Sequence, residues 1–133
     1  MPFIRISVAG HEPTHDQVAQ LQRKTTQLMS ELLGKRAEVT VVAVESSLAS
    51  QWSVDGNHLV EDQVLAQMEA FITAGTNSEQ EKSEFISAAC QMLCEVFNVA
   101  ISPLYVIVVE VDATNWGYDG KTQALRKQLT QLL

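Results

Sequence analysis

The sequence of 133 residues predicts a single α+β domain in which duplicated β-α-β units form a four-stranded mixed sheet with two helices on one face. Two observations lead to this prediction. A strand-like segment, a long amphipathic segment and a strongly apolar strand-like segment follow one another at the start of the chain, and the same order then recurs. A strand, a helix of this length and another strand form a right-handed crossover whose strands lie parallel.

The first unit begins with residues 3–9, FIRISVA, which have the length and composition of a strand. Thr14, followed three positions later by Gln17, is a capping box and marks the first turn of a helix. We expect this helix to end at Leu33, because Gly34 suits a C-cap. Its predicted apolar stripe comprises Val18, Leu21, Thr25, Leu28 and Leu32.

The second strand of each unit is almost continuously apolar. It covers residues 39–44, VTVVAV, in the first unit and residues 106–109, VIVV, in the second. Such runs are typical of strands buried on both faces. Two helices on one side cover only one face of the sheet, so we expect another copy of the chain to cover the other. The sequence therefore predicts a homo-oligomer.

The second unit repeats the first at a nearly constant distance. Residues 64–74 are a predicted strand, Ser78 with Glu81 is a second capping box, and the second helical stripe comprises Ile86, Cys90, Leu93 and Phe97. An offset of 65 aligns Gly10 with Gly75, Leu28 with Leu93, and Glu45 with Glu110. In the turn segments, an offset of 64 aligns Trp52 with Trp116 and Asp55 with Asp119.

This repeat predicts the organisation of the chain. One β-α-β-hairpin unit occupies residues 1–60 and the second occupies residues 64–120. Asp55-Gly56 is the hairpin signal of the first unit, and residues 116–120 close the second. A short C-terminal helix is expected over residues 121–133.

Composition excludes several classes of function. The net charge of −7 argues against binding to nucleic acids or to anionic membranes. No apolar run is long enough to span a bilayer, and the start of the chain lacks the pattern of a signal peptide. We therefore predict a soluble cytoplasmic protein with a substantial core, since 46% of its residues are hydrophobic.

Two patterns that could indicate metal sites have simpler explanations. Residues 11–15, HEPTH, match a zinc motif that requires both histidines on one helix face, but Pro13 and the capping box place the helix start after the first histidine. Cys90 and Cys94 lie four positions apart in the second helix and are expected to be buried, reduced and inert. We predict neither a metal nor a cofactor.

Pro2 is the residue most suggestive of chemistry. Methionine before proline is normally removed, which would leave a secondary amine at the start of the first strand. A free α-amino group has a pKa of roughly 8, and burial near a cation lowers it. Such an amine is a general base near neutral pH, although proline is also tolerated at a strand edge for purely structural reasons.

These features resemble the tautomerase superfamily, which includes macrophage migration inhibitory factor, oxalocrotonate tautomerase and malonate semialdehyde decarboxylase. Besides Pro2 and the duplicated unit, four segments carry the resemblance. Residues 33–35, LGK, resemble the inhibitory factor, and residues 75–82, GTNSEQEK, resemble the helix start of the short members. Residues 102–120 are similar to the second half of the decarboxylase, and residues 50–58 to carboxymethyl-hydroxymuconate isomerase.

The resemblance implies a homotrimer with an active site at each N-terminal proline, near subunit boundaries. Pro2 would be the catalytic base, and Lys35 falls where the inhibitory factor has a substrate-binding lysine. Arg36 beside it is a second candidate for substrate binding. Gln67 lies near the position equivalent to Pro2 in the second repeat, which implies one site per chain.

Three more residues are candidates for contacts with the substrate. Trp116 and Tyr118 are candidates for the wall of a neighbouring chain's pocket, and Glu38 falls close to an acidic residue of the decarboxylase. The sequence also departs from the family, since the positions of the carboxylate-binding arginines hold His11 and Thr76-Asn77.

The expected function is tautomerisation of a small carbonyl substrate, similar to a 2-keto or 2-hydroxy acid, with Lys35 stabilising the enolate. One alternative is decarboxylation or hydration, with Pro2 as a cationic acid and Glu38 activating water. The other is a trimeric binding protein without catalytic activity.

Overall fold

The computed structural model describes residues 2–132. The described chain contains β1 (Phe3–Ala9), α1 (His15–Leu33), β2 (Val41–Ser47), β3 (Ser53–Val54), β4 (Asn57–His58), β5 (Leu65–Thr73), α2 (Glu79–Phe97), β6 (Tyr105–Val111), β7 (Gly117–Tyr118), β8 (Lys121–Thr122) and α3 (Gln123–Gln131). The predicted α+β architecture is confirmed. Within the described chain, no helix is long and apolar enough to cross a membrane.

The main sheet has four strands in the order β2-β1-β5-β6. β1 lies parallel to β2, and β5 lies parallel to β6, as expected for two crossover units. The two units meet through the antiparallel pair β1 and β5, where Phe3 lies opposite Phe71. The sheet is therefore mixed, and α1 and α2 pack together with the apolar side chains of one of its faces.

Both predicted capping boxes are present. The Thr14 hydroxyl oxygen accepts from the Gln17 backbone N–H at 3.0 Å, and the Gln17 side chain accepts from the Thr14 N–H at 3.0 Å. Ser78 and Glu81 make the same reciprocal bonds at 3.1 and 2.8 Å. Gly34 ends α1 in the left-handed conformation, with φ of 68°. Local sequence signals therefore determine where both long helices begin.

The two units are related by an offset of 64 throughout, so the expected offset of 65 for strands and helices is wrong. Matching positions are His15 and Glu79 at the helix starts, Leu33 and Phe97 at the helix ends, Val41 and Tyr105 at the starts of β2 and β6, and Ser53 and Gly117 at the hairpins. The register of the sheet agrees, because Phe3 pairs with Val41 and Gln67 pairs with Tyr105.

The corrected offset also changes which helical residues form the core. The most buried residues of α1 are Leu21, Thr25, Met29 and Leu33, and their counterparts in α2 are Phe85, Ala89, Leu93 and Phe97. Leu28 and Leu32, which were expected in the stripe, instead pack at the margin of the core. Cys90 and Cys94 are only partly buried, and both are free thiols.

β2 and β6 are the edge strands of the sheet, and in the single chain each is covered only on the face that meets the helices, so the expected burial of the second face depends on another copy of the chain. Val41 is 47% exposed, Tyr105 65% and Ile107 39%. Strand alternation and register place these three side chains with Phe3 and Phe71 on the sheet face opposite the helices. This open face therefore carries an apolar set of side chains beside polar ones such as Arg5 and Glu69.

Candidate active site

A cavity of about 370 Å³ lies beside the start of β1, and its lining is mostly apolar. Pro2 lines this cavity and is itself fully buried. Phe3, Val41 and Phe71 supply further apolar walls. We call this space the Pro2 cavity.

The strand pattern explains why these side chains converge. Val41 and Phe71 both lie opposite Phe3 in the sheet register. Alternation along β1 directs Ile4 and Ile6 into the core, and it directs Phe3 and Arg5 to the other face. The Val41 N–H also donates to the Pro2 carbonyl oxygen at 3.3 Å, so Pro2 is held against the neighbouring strand.

The hairpin formed by β7 and β8 supplies the aromatic wall, which contains Trp116 and Tyr118. Trp116 Nε1 donates to Thr73 Oγ1 at 3.1 Å and thereby fastens the hairpin to the end of β5. At Gly117 between them, a Cβ would lie 2.0 Å from the Lys121 carbonyl oxygen, so only glycine fits. Both aromatic residues line the cavity of their own chain, whereas the sequence suggested a neighbour's pocket.

Two polar residues of the cavity were missed by the sequence analysis. Arg5 lines it while its Nε lies 3.6 Å from Glu45 Oε1 and its guanidinium 5.7 Å from the centre of the Phe3 ring. Gln123, the first residue of α3, carries a buried Nε2 that has no hydrogen-bond partner among residues 2–132. The alternation of Phe3 and Arg5 with buried isoleucines is the one sequence signal that places Arg5 on this face.

Lys35 is not brought to the Pro2 cavity, and it is not among the described residues that line it. Its Nζ donates to Thr76 Oγ1 at 2.9 Å, just beyond the end of β5. Burial lowers the pKa of Lys35, an effect that the nearby carboxylates of Glu81 and Glu110 oppose. A catalytic role for Lys35 therefore stays a prediction. The hydrogen bond to Thr76 does not favour it, because it holds the ammonium group away from the Pro2 cavity.

Arg36 and Glu38 form an exposed ion pair in which Arg36 Nε lies 2.9 Å from Glu38 Oε1. A backbone N–H and the Arg36 guanidinium donate to the carboxylate and lower the pKa of Glu38. Neither residue is among the described residues that line the Pro2 cavity, and Arg36 instead lines a neighbouring groove.

The HEPTH segment forms no zinc motif of the expected geometry. His11 lies before α1, and its Nε2 is within hydrogen-bond distance of Gln17 Oε1, at 2.8 Å. His15 is the first residue of the helix. Within residues 2–132, no group of three or more His, Cys, Asp or Glu side chains is placed to hold a metal ion.

A second cavity, of about 350 Å³, is the counterpart of the Pro2 cavity in the other unit. It is lined in part by Trp52, Val54, Gln67 and Tyr105, which the offset of 64 relates to Trp116, Tyr118, Phe3 and Val41. Ala66 takes the place of Pro2, which corrects the expected Gln67 by one position. The counterpart cavity therefore has equivalent walls but no proline at the position of Pro2; the proline that lines it, Pro103, lies in the segment before β6.

The sequence of the first unit matches known proteins closely enough to identify the family of this chain. Residues 2–62 match the model of the tautomerase enzymes. Over 61 residues, the chain is 33% identical to "Probable tautomerase K2" of Dickeya dadantii (strain 3937), covering 46% of this chain and 91% of that protein. The chain belongs to the tautomerase superfamily.

The fold of this tautomerase family member extends the similarity to nearly the whole chain. A solved structure of the fused 4-OT protein F6, an asymmetric trimer, superimposes with a TM-score of 0.82 at 16% identity, covering 93% of this chain and 98% of that one. The macrophage migration inhibitory factor-like protein of Entamoeba histolytica gives 0.74 at 18% identity, covering 91% and 97%. The second unit, which lies mostly outside the family match, therefore shares the fold.

Proposed function

We propose that this protein catalyses keto–enol tautomerisation of a small substrate similar to a 2-keto or 2-hydroxy acid, with Pro2 as the general base. The observation that carries the proposal is the burial of Pro2 in a mostly apolar cavity that Arg5 also lines. Burial and a nearby cation each favour the neutral form of an amine over its charged form. Membership in the tautomerase superfamily supports the same reaction.

The proposed reaction needs Met1 to be removed, because the nitrogen of an internal proline is a tertiary amide and cannot accept a proton. The free Pro2 nitrogen then takes a proton from the carbon next to the substrate carbonyl, and the electrons of that C–H bond form the enolate. The same nitrogen, now a cation, returns the proton to a different atom of the substrate. No cofactor is needed for this proton balance.

The enolate oxygen needs a donor that is in place before the charge develops. We assign this role to Arg5, with the Gln123 amide as a second donor, because both line the Pro2 cavity. Lys35, the candidate suggested by the resemblance, donates to Thr76 instead. Trp116 and Tyr118 are proposed to hold the flat, conjugated substrate by packing.

The proposed assembly is a homotrimer in which copies cover the open face of the sheet. Phe3, Val41, Tyr105 and Ile107 leave apolar surface on that face, and burying such surface drives association. Light scattering should report about three chains per particle. Ile107→Glu places a charge on the open face and should reduce the number of chains per particle. Val99→Glu, at an exposed position after α2, should not.

The alternative of hydration or decarboxylation relied on Glu38 to activate water. The Glu38 carboxylate is exposed and paired with Arg36, so no observation favours this alternative over tautomerisation. The other alternative is a binding protein without catalytic activity. Measuring whether turnover depends on Pro2 distinguishes it from an enzyme.

The test compares wild type with Pro2→Ala and with a form that retains Met1, using phenylenolpyruvate as the enol. Mass spectrometry first establishes which forms have lost Met1. The Met1-retaining form has no free amine at residue 2 and should lose about 10²–10⁴-fold in turnover, the usual cost of a missing general base. Pro2→Ala keeps an amine but changes its basicity and geometry, so its turnover should also fall sharply. Pro13→Ala, in the loop before α1, is the matched control. If both altered forms match wild type on every enol, the binding-protein alternative replaces catalysis.

A further inference from the structure

The counterpart cavity differs from the Pro2 cavity in charge. Its volume is about 350 Å³, and its lining includes the Trp52 and Tyr105 rings, the Asp55 carboxylate and the Gln67 amide. None of the described residues that line it is Lys, Arg or His, so Asp55 is the one charged residue in that lining. A cavity of this composition disfavours anions and attracts cations.

The difference in charge extends to the surroundings of the two cavities. The offset of 64 relates Arg5, which lines the Pro2 cavity, to Glu69 on the same face of the sheet. Arg5 also lies opposite Glu69, but its ion pair is with Glu45 on the strand at its other side, at 3.6 Å. The hairpin of the Pro2 cavity is followed by α3 with Arg126, whereas the hairpin of the counterpart cavity is followed by Glu-Asp at residues 61–62. Acidic residues therefore surround the counterpart cavity where basic residues surround the other.

The aromatic rings of the counterpart cavity have no cation of the chain against them. Beside the Pro2 cavity, the guanidinium carbon of Arg126 lies 3.7 Å from the centre of the Tyr118 ring. Among residues 2–132, no Lys or Arg lies in this way over Trp52 or Tyr105. The negative face of an aromatic ring attracts a cation, most strongly for tryptophan. The two rings can therefore bind a cation that comes from outside the chain.

Asp55 supplies a carboxylate beside these rings. It is exposed at the turn between β3 and β4, and it has no ion-pair partner among residues 2–132. Asp119 has the matching position in the other hairpin and a similar backbone, with φ of 50° against 56° at Asp55. Asp119 does not line the counterpart cavity among the described residues, so it provides a matched control for Asp55.

We propose that the counterpart cavity is a second ligand site, which binds a small organic cation such as a quaternary ammonium or a protonated amine. The Trp52 and Tyr105 rings contact the cation and its alkyl groups, and the Asp55 carboxylate balances its charge. The inference does not rest on the function proposed for Pro2, because the two cavities share no lining residue among those described. Tyr105 begins an edge strand and lies on the open face, so the experiments use the assembled protein.

The first experiment compares choline with its uncharged analogue, in which a carbon atom replaces the nitrogen, by calorimetry at constant ionic strength. Wild type should bind choline roughly 3–30-fold more tightly, the combined value of a cation–π contact and an exposed charge pair. Asp55→Asn should reduce this preference by up to about fivefold, and Asp119→Asn should leave it unchanged. Tyr105→Leu, which keeps the open face apolar, should also reduce it. Equal affinity for the two compounds, no binding of choline, or an equal effect of Asp119→Asn would overturn the proposal.

The second experiment locates the bound cation. The chain has two tryptophans, so Trp116→Phe leaves only Trp52 and Trp52→Phe leaves only Trp116. Choline should change the fluorescence of the protein that retains Trp52, and adding Asp55→Asn should shift that change to higher choline concentration. The protein that retains Trp116 should show no change. A response from Trp116 with none from Trp52 would place the cation at the other hairpin and overturn the assignment, whether or not Pro2 proves catalytic.

Discussion

Ala66 occupies the place in the second β-α-β unit that Pro2 occupies in the first. Each immediately precedes the residue that pairs with the start of the neighbouring parallel strand, Phe3 with Val41 and Gln67 with Tyr105. Each also lines a cavity beside a tryptophan-bearing hairpin. The duplicated fold therefore builds two similar cavities, and only one of them has a residue that becomes a basic amine after removal of Met1.

The amine can be detected directly, because the chain has only three prolines. In protein labelled with ¹⁵N-proline, one signal should titrate once Met1 is removed, while Pro13 and Pro103 are amides and should not. Burial and the Arg5 cation both disfavour the charged amine, so the midpoint should fall below roughly 8. Arg5→Gln should raise this midpoint, and Arg23→Gln should not. A midpoint at or above that of a free α-amino group would contradict the proposed environment.

Arg5 should matter more to turnover than Lys35. Arg5→Gln removes the cation that lines the cavity, and losing one donor to a developing oxyanion costs about 10²–10³-fold. Lys35→Ala removes a hydrogen bond to Thr76 and should cost less than about tenfold, with the change mainly in KM. Steady-state kinetics on the same enol decides between them. The opposite order would return the role of enolate stabiliser to Lys35.

The helix starts could be predicted from the sequence because their signals are local, whereas the repeat offset could not. Thr14 and Ser78 each meet their partner three residues away, so no tertiary information is needed. The match of Gly10 with Gly75 equated residues with different roles. A Cβ at Gly10 would lie 2.0 Å from the Gln63 carbonyl oxygen, whereas nothing lies within 4 Å of one at Gly75. Identity of residue type was therefore a poor guide to structural equivalence.

Only part of the candidate site was accessible from sequence. Pro2 could be proposed from the sequence because the chemistry suggested for it depends only on its position after Met1. Arg5 was missed because the sequence did not show which face of β1 meets the hairpin that carries Trp116 and Tyr118, more than 100 residues later. The resemblance suggested Lys35, but its Nζ donates to Thr76 of the other unit, a long-range contact that the sequence did not show.

Replacing Thr25 with valine should stabilise the folded protein. It is fully buried in α1, and its hydroxyl oxygen has no hydrogen-bond partner among residues 2–132. Thr25→Val removes an unsatisfied polar group at similar volume, so the free energy of unfolding should rise by about 1–3 kcal/mol. Thr26→Val is the control, because the Thr26 hydroxyl donates to the Gln22 carbonyl at 2.8 Å and little stabilisation is expected. Urea unfolding at fixed protein concentration measures both, and destabilisation by Thr25→Val would indicate a bound water.

Cys90 should react slowly with thiol reagents in the folded protein. Burial raises the pKa of its thiol, and proximity to Cys94 adds to the shift. Because the thiolate is the reactive form, labelling at pH 7 should be slow and should accelerate only above the ordinary thiol pKa of roughly 8.5. Mass spectrometry after timed labelling identifies the site, with urea-unfolded protein as the control. Rapid labelling of Cys90 at pH 7 would contradict the raised pKa of its partly buried thiol.

The contact between Lys82 and Glu110 should make the free energy of unfolding fall at acidic pH. Glu110 Oε1 accepts from Lys82 Nζ, and Oε2 accepts from the Gly75 N–H at 3.2 Å. The Lys82 bond is the larger of these two causes that lower the pKa of Glu110 from its ordinary value of 4.5. A carboxyl whose pKa is lower in the folded state contributes stability that is fully present above 4.5. That contribution disappears as the pH falls through the folded-state pKa.

Glu110→Gln should therefore destabilise the protein at pH 7, and its difference from wild type should shrink as the pH falls below the ordinary carboxyl pKa. Glu84→Gln is the matched control, because Glu84 lies exposed on α2 and accepts only from the neighbouring Gln80 side chain among the described residues, at 3.1 Å. Urea unfolding of all three proteins at neutral and acidic pH, at one protein concentration, measures the effect. A difference for Glu110→Gln that is the same at both pH values would mean that the substitution acts through packing, since an ionised carboxylate is lost only in acid.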